Sequence, residues 1–375
     1  MSNTLIADSG NALAALNGVP QIDFPSNLRA AFAAGRRATS ILREVVALYR
    51  GPGRLSPAEY FLYRLWEPRL SLEEKRRFVG KLAQHPMHIA CNNTSWYATA
   101  ADKLLFHTLM TGARLPRPAL LAITRADRLA QGATVLADEA ATTAFLRDRR
   151  HYPLFAKPID GKYSLSVISA DDYDPTADRI LLRGAEPVAP AALAKEMAGK
   201  EAGFVIQRRL TPDPRLVGRF GPCLWSVRVI MLLTPAGPLM HRAVAKIATG
   251  RNPADNFWRR GNMVGAIDTQ TGQIMSVVQG SGADMSIDVS HPDTGRPITG
   301  TAIPDWEALS TLVELAARLF PGIRTQSWDI ALTDTGPIPL EVNFGGDLNL
   351  TQLAFGKGVL DDTYREHLRS CGYRF

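Results

Sequence analysis

Trp328-Asp329-Ile330-Ala331-Leu332-Thr333, then Asp334-Thr335-Gly336, then Ile338-Pro339-Leu340-Glu341-Val342-Asn343: two β-rich runs flank an Asp-Thr-Gly turn. The pattern predicts a β-hairpin. If the turn centres on Thr335, positions 329 and 341 lie opposite each other, with Cβ atoms about 5 Å apart. Glu341 and Asn343 are two apart and share a face. Asp329, Glu341 and Asn343 would then form one oxygen-rich cluster, a donor set that suits Mg²⁺. The plain alternative is a solvated polar face. The strongly apolar flanks weigh against it, because an unpartnered carboxylate cluster is costly there.

Two further stretches carry candidate chemistry. Leu154-Phe155-Ala156-Lys157-Pro158 ends a β run in lysine and enters Asp160-Gly161-Lys162-Tyr163-Ser164-Leu165-Ser166. Amides and hydroxyls of such a loop can cradle phosphate oxygens, and the lysine adds charge. No Walker A pattern is present, and a lysine before proline is often only a strand end. On the middle strands, Arg228 sits alone in Trp225-Ser226-Val227-Arg228-Val229-Ile230, while Arg242, Val244 and Lys246 alternate onto one face. Cations in apolar strands need anionic partners, either protein carboxylates or a polyphosphate. A structural ion pair suits Arg242 better than Arg228.

Around these motifs the chain changes texture. The first hundred residues read as helical. An apolar stripe covers 26–50, capping boxes at Ser56–Glu59 and Ser71–Glu74 open helices through Trp66 and to about Gln84, and a helix at 102–110 closes on Gly112. From about 120, strands mostly in pairs appear at 154–157, 165–169, 204–207, 224–233, 239–247, 263–268, 273–278, 327–333 and 338–342. Helices are expected at 191–197, 305–320 and 359–368, and a long surface loop at 280–300. This argues an α+β layered fold. The expected organisation is an N-terminal helical domain over 1–100 followed by an α+β domain over 101–375.

Composition bounds the rest. With 375 residues, 46% hydrophobic and 21% charged, the chain is globular rather than disordered. Three separated cysteines, Cys91, Cys223 and Cys371, exclude a disulfide scaffold and fit a reducing, cytoplasmic setting. Cys223 reads as a small core residue, and the seven histidines show no ligand spacing. No secretory signal or bilayer-spanning run is read. The net charge of +7 suits an anionic partner, or simply solubility. No aromatic-plus-basic strand argues for nucleic acid.

Taken together, these residues resemble the ATP-grasp superfamily, and within it the sugar-transfer-associated group linked to cell-surface polysaccharide biosynthesis. The resemblance runs from about Leu55 to Leu368. It is carried by Leu55-Ser56-Pro57-Ala58-Glu59-Tyr60, Asp102-Lys103, Gly112-Ala113-Arg114-Leu115-Pro116 and Ala254-Asp255-Asn256-Phe257. His291-Pro292-Asp293-Thr294-Gly295, Trp328 to Thr333, Gly336-Pro337, Glu341-Val342-Asn343 and Leu350-Thr351-Gln352 continue it.

The resemblance implies an ATP-grasp fold of two α+β lobes, 101–210 and 211–375, clamping ATP after an N-terminal helical domain. Lys103 and Lys157 match the lysines near the ATP phosphates, and Gly161, Ser164 and Ser166 match the loop over them. Gln207, Arg208 and Leu210 lie in the segment matching the strand that meets adenine. Arg208 and Arg209 depart from the glutamate often found there, and Asp213 is the substitute for the ribose contact. Arg228 and Lys246 match phosphate-side cations. Asp329, Glu341 and Asn343 match the metal ligands, here for two Mg²⁺ ions with Mn²⁺ able to substitute. Asp255 and Asn256 fall beside the transferring phosphate, and Arg259 or Arg260 is expected to hold an anionic substrate. The implied activity is a ligase of the carboxylate–amine type, which activates a small anionic carboxylate as an acyl phosphate and condenses it with an amine or other nucleophile, in surface polysaccharide or natural-product biosynthesis. A phosphotransferase on the same fold and a non-catalytic nucleotide-binding module are the alternatives.

Overall fold

The computed structural model describes residues 22–160, 167–250, 252 and 255–375. The helices before the first strand are α1 (Phe24–Ala33), α2 (Ala38–Tyr49), α3 (Pro57–Leu62), α4 (Leu72–Lys75), α5 (Lys81–Cys91), α6 (Tyr97–Ala101) and α7 (Lys103–Gly112). Both capping boxes form: the Ser56 and Ser71 hydroxyls accept from the amides of Glu59 and Glu74, whose carboxylates reach back.

The second of these helices stops at Lys75 instead of reaching Gln84. The amides of Arg76, Arg77 and Phe78 close a last local turn, and tertiary partners claim the two after them: Val79 N–H donates to Gln352 Oε1 at 2.7 Å and Gly80 N–H to Gly53 O at 2.7 Å. With those donors satisfied outside the helix, the 3.6-residue ladder has nothing to continue for. α7 runs through Gly112, and the left-handed residue that ends the turn is Arg114, at φ 57°. The stripe over 26–50 breaks at Gly35 and is wider than its contact: Ala31, Ile41 and Leu48 are buried, while Phe32, Leu42 and Val46 are exposed.

Among the described residues there are two sheets. The first orders as β2 (Thr134–Val135), β1 (Leu120–Ile123), β6 (Phe204–Arg208), β3 (Leu154–Pro158), β4 (Ile168–Asp174) and β5 (Arg179–Leu182). The second runs β11 (Ser286–Ile287), β10 (Ile274–Gln279), β9 (Met263–Ile267), β8 (Gly237–Ile247), β7 (Ser226–Thr234), β12 (Thr325–Thr333) and β13 (Gly336–Phe344). β11 lies in the segment expected to be loop, where it adds an edge strand. Helices α8 (Glu139–Leu146) and α9 (Pro190–Ala198) pack on the first sheet, with one core built from Phe145, Leu154, Leu193 and Ile206.

The second sheet is buried on both faces. Val227, Val229, Ala245, Trp328 and Ile330 point to α10 (Pro214–Phe220), α11 (Trp306–Ala317) and Phe106 of α7. On the opposite face, Val244, Val264, Ala266 and Val278 share a cluster with Tyr60, Phe61 and Trp66 of the N-terminal segment and with α12 (Leu348–Phe355). The N-terminal helices therefore complete their core on this sheet. The last helix, α13 (Asp362–Ser370), packs with α5 through Tyr364, Leu368, Met87 and Cys91.

The deciding hairpin forms with an added device. Thr333 pairs with Gly336, so the turn is two residues, Asp334 and Thr335, with Gly336 at φ 98°. Ile330 pairs with Pro339, yet Asp329 pairs with Glu341, because a bulge at Leu340 adds one residue to β13. The bulge makes good the half-residue by which the turn centre departs from Thr335.

Candidate functional site

A cleft opens between the two sheets. Its lining includes Lys103, Lys157, Gln207, Arg208 and Leu210 from the first sheet's side, and Lys246, Asp255, Asp329 and Glu341 from the second. Chain geometry explains the gathering. Asp102 caps α7 by accepting from the amides of Leu104 and Leu105, which fixes Lys103 at the first helical position. The Lys103 amide itself donates to Ile159 O at 3.0 Å, tying α7 to the end of β3, where Lys157 stands. Residues 209–213 cross between the sheets and are held to β12 by the Asp213 N–H to Leu332 O bond.

The second sheet supplies an alternating charge cluster. Asp329 pairs with Arg228 across β7 and with Glu341 across β13. The Arg228 guanidinium grips Asp329 in two parallel bonds of 2.7 Å each. Lys246 Nζ lies 3.2 Å from Asp329 and 3.1 Å from Asp255, whose other oxygen meets the Ser226 hydroxyl. Burial would raise the Asp329 carboxyl, but Arg228 and Lys246 outweigh it and hold it far below the carboxylate range. Burial would lower Lys246, and Asp255 and Asp329 reverse that, so its ammonium is stabilised.

The opposite wall behaves otherwise. Burial pushes the Lys157 ammonium down to about 8; the more distant charge of Glu341 offsets this only in part, and the like charge of Lys103 lowers it further. Lys157 Nζ donates to Leu340 O at 3.4 Å, the carbonyl of the bulged residue. Lys103 is likewise lowered by burial, against Glu341 and Asp160. Glu341 is half-buried and receives the Asn343 amide at 3.4 Å.

The structure thus brings together on the cleft Lys103, Lys157, Gln207, Arg208, Leu210, Lys246, Asp255, Asp329 and Glu341, with Arg228 and Asn343 one step behind. Arg208 donates to the carbonyls of Tyr152 at 2.9 Å and Arg150 at 3.1 Å, and Arg209 pairs with Asp171. Asp213 is placed off the lining: it caps α10 and pairs with Arg215, which accounts for its carboxylate without a ribose. Asn256 accepts from the Trp258 amide at 3.0 Å, and its carbonyl accepts from Asn262. Arg259 is half-buried with an unpartnered Nε, while Arg260 is exposed. Gly161, Ser164 and Ser166 lie outside the described residues.

Sequence reading passed over several lining residues, among them Arg183, Leu224, Asn252 and Leu340. None carries a local signal; Leu340 reaches the cleft through the bulge. Cys223 is buried, as expected of a small core residue, yet it also lines the cleft, with Sγ donating to Gly250 O at 3.3 Å. Arg242 is not on the cleft: it donates to the carbonyls of Lys357 at 3.1 Å and Gly358 at 2.6 Å and lies 3.6 Å from Asp361.

The family model described as sugar-transfer associated ATP-grasp matches residues 84–366. No curated protein matches the chain. Among solved structures, the biotin carboxylase domain of Hydrogenobacter thermophilus 2-oxoglutarate carboxylase, in complex with MgADP, ADP and bicarbonate, is similar at 12% identity. That match has a TM-score of 0.40 and covers 76% of this chain and 48% of that one. An L-amino acid ligase from Bacillus licheniformis is similar at 14% identity and TM-score 0.35, covering 72% and 50%. D-alanine–D-alanine ligase from Bacillus anthracis is similar at 11% identity and TM-score 0.42, covering 77% and 76%. The chain spans about half the length of the first two. No helix among the described residues is long and apolar enough to cross a membrane.

Proposed function

The chain belongs to the sugar-transfer associated ATP-grasp family and has the ATP-grasp fold, and from that premise we propose that it is an ATP-dependent ligase. It activates a substrate carboxylate as an acyl phosphate and passes the acyl group to an amine. The observation that carries this reading is the two-walled cleft: a desolvated Lys157 faces an oxygen set on the hairpin. Lobe 101–210 and lobe 211–375 hold the nucleotide between them, with the helices of 1–100 backing the second lobe.

Each residue has a task in this reading. Lys103 and Lys157 take the phosphates, whose charge offsets what burial costs the two ammonium groups. Gln207 and Leu210 border the base, with the loop of Gly161, Ser164 and Ser166 over the phosphates. Arg228 and Lys246 fix Asp329, and Lys246 and Ser226 fix Asp255, so the wall facing the transferring phosphate is preorganised. The hairpin oxygens fit a hard divalent cation: Glu341 and Asn343 are available, while Asp329 joins them by sharing an oxygen with Lys246. Held there, Mg²⁺ would supply positive charge to offset that of the phosphates. The carboxylate oxygen forms a bond to the γ-phosphorus as the bond to ADP breaks. The amine nitrogen, losing a proton, then displaces phosphate to leave an amide. The half-buried Arg259 guanidinium supplies an anchor for an anionic substrate, in keeping with the +7 charge.

The test is an ADP-release screen of the full chain against amino acids, uronic acids and nucleotide sugars, with product masses read in the same assay. An amide product with one phosphate per ADP supports the ligase. A phosphorylated acceptor without condensation makes the protein a phosphotransferase, and ADP release from no acceptor class contradicts both.

A further inference from the structure

Away from the cleft, the fold assembles a second cluster from three distant parts of the chain. Cys91 ends α5, Cys371 caps α13, and His367 lies four residues before Cys371 on the same helix face. The two sulfurs and one imidazole nitrogen all lie within 4.8 Å of one another. Cys371 Sγ is 3.7 Å from His367 Nε2. The Thr325 hydroxyl, at the start of β12, lies 2.9 Å from the same nitrogen. Cys91, His367 and Thr325 are buried, while Cys371 is partly exposed.

The cluster is polar and incompletely satisfied. His367 Nδ1 and the Tyr364 hydroxyl are buried without partners, although native interiors pair nearly every such atom. Val79, Met87, Ile230 and Leu368 share the apolar cluster of Cys91 and Tyr364, while the nearby Arg324 guanidinium is bonded to Ser370 and the Asn92 side chain to the Thr325 backbone. Two thiols and an imidazole in such a place are a poor choice for packing alone.

We propose that Cys91, His367 and Cys371 form a structural site for a borderline-soft divalent ion, Zn²⁺. Zinc takes thiolate sulfur at about 2.3 Å and imidazole nitrogen at about 2.0 Å in a tetrahedron, so adjacent ligand atoms sit about 3.5–3.8 Å apart. The sulfur–nitrogen spacing already matches that edge, and the fourth position falls on the side of the Thr325 hydroxyl. Charge also balances: two thiolates and a dication leave a neutral centre, which an apolar surround tolerates. The partly exposed Cys371 gives the ion an entry path. Binding would cross-link α5, β12 and α13, elements joined through the 279 residues of chain between Cys91 and Cys371. β12 carries Asp329 four residues beyond Thr325, so the ion would brace the strand behind the proposed nucleotide site without touching it.

Cobalt tests this directly. The reduced, chelator-treated full chain is titrated with Co²⁺ in the absence of oxygen. One equivalent should give sulfur-to-cobalt absorption and the intense visible bands of tetrahedral cobalt, and Zn²⁺ should bleach both. Cys371→Ser should weaken Co²⁺ binding at least 100-fold, and Cys223→Ser should leave it unchanged. Zn²⁺ should raise the melting temperature of the wild type and not that of Cys371→Ser. The wild-type shift is read without any variant, so a substitution that fails to fold does not hide the answer. A wild type whose thiols are fully reduced and that shows no sulfur-to-cobalt band overturns the proposal. So does a band of equal strength in Cys371→Ser.

Discussion

Lys157 and Lys246 are both buried lysines facing the same cleft, and their surroundings drive them in opposite directions. Lys246 stands between two carboxylates at 3.1 and 3.2 Å and is held charged. Lys157 meets a carbonyl at 3.4 Å and is pushed down to about 8. The lesson is a division of labour between the walls. On the second sheet Arg228, Lys246, Asp255 and Asp329 pair their charges before any ligand arrives, while the first sheet holds a charge whose natural partner is a ligand anion.

The strongest challenge to this contrast is to remove the carboxylate that completes the second wall. Asp329→Ala strips the largely buried Arg228 of its carboxylate and leaves Lys246 with Asp255 alone, and should cost about 3–5 kcal/mol of stability, read by denaturant unfolding. A loss below 1 kcal/mol would mean the pairs are not the frame described. Next in size, Lys157→Met removes a desolvated charge. It should weaken nucleotide binding by about 10–100-fold, the worth of a charged hydrogen bond, while leaving stability equal or higher. Calorimetric titration with ATP checks the first half and thermal melting the second.

A third expectation follows from the depressed ammonium. The folded Lys157 pKa, about 8, lies below its ordinary 10.5, so between those values the unfolded chain binds more protons. Stability from this group should therefore rise with pH across that window and show no slope from it below about 8. Nucleotide affinity should do the reverse, falling as pH climbs past about 8, because only the ammonium attracts phosphate. Lys157→Met should flatten both trends; an unchanged affinity profile in that variant would dissociate Lys157 from the phosphates. The smallest effect sharpens the picture: Glu341→Gln removes a charge that supports Lys157, so in titrations with ATP free of Mg²⁺, which set aside its part as a cation ligand, the affinity limb should move to lower pH while the fold melts unchanged.

Much of this site was legible in the sequence because hairpin periodicity is local. The 329/341 pairing and the shared face of Glu341 and Asn343 follow from a period of two. The bulge that enforces the pairing is not legible, since Leu340 looks like any strand residue. Buried cations were visible as anomalies in apolar runs, but their partners were not. The sequence favours a structural ion pair for Arg242 over Arg228, yet the fold gives Arg228 the gripped carboxylate of Asp329 and Arg242 the carbonyls of residues 357–358, with Asp361 only at 3.6 Å. The early end of the helix at Lys75 depends on Gln352, and the cysteine cluster on Cys91 meeting Cys371; contacts so distant in sequence leave no local trace.

The central claim is that the cleft between the sheets binds a nucleotide polyphosphate on both walls at once. Hydrogen exchange of the full chain, with and without ATP and Mg²⁺, measures both walls in one experiment. The account predicts slowed exchange at 154–158 and 204–208 on the first sheet together with 338–343 on the hairpin. Protection confined to one wall, or unchanged exchange at all three segments under saturating ATP, would contradict it.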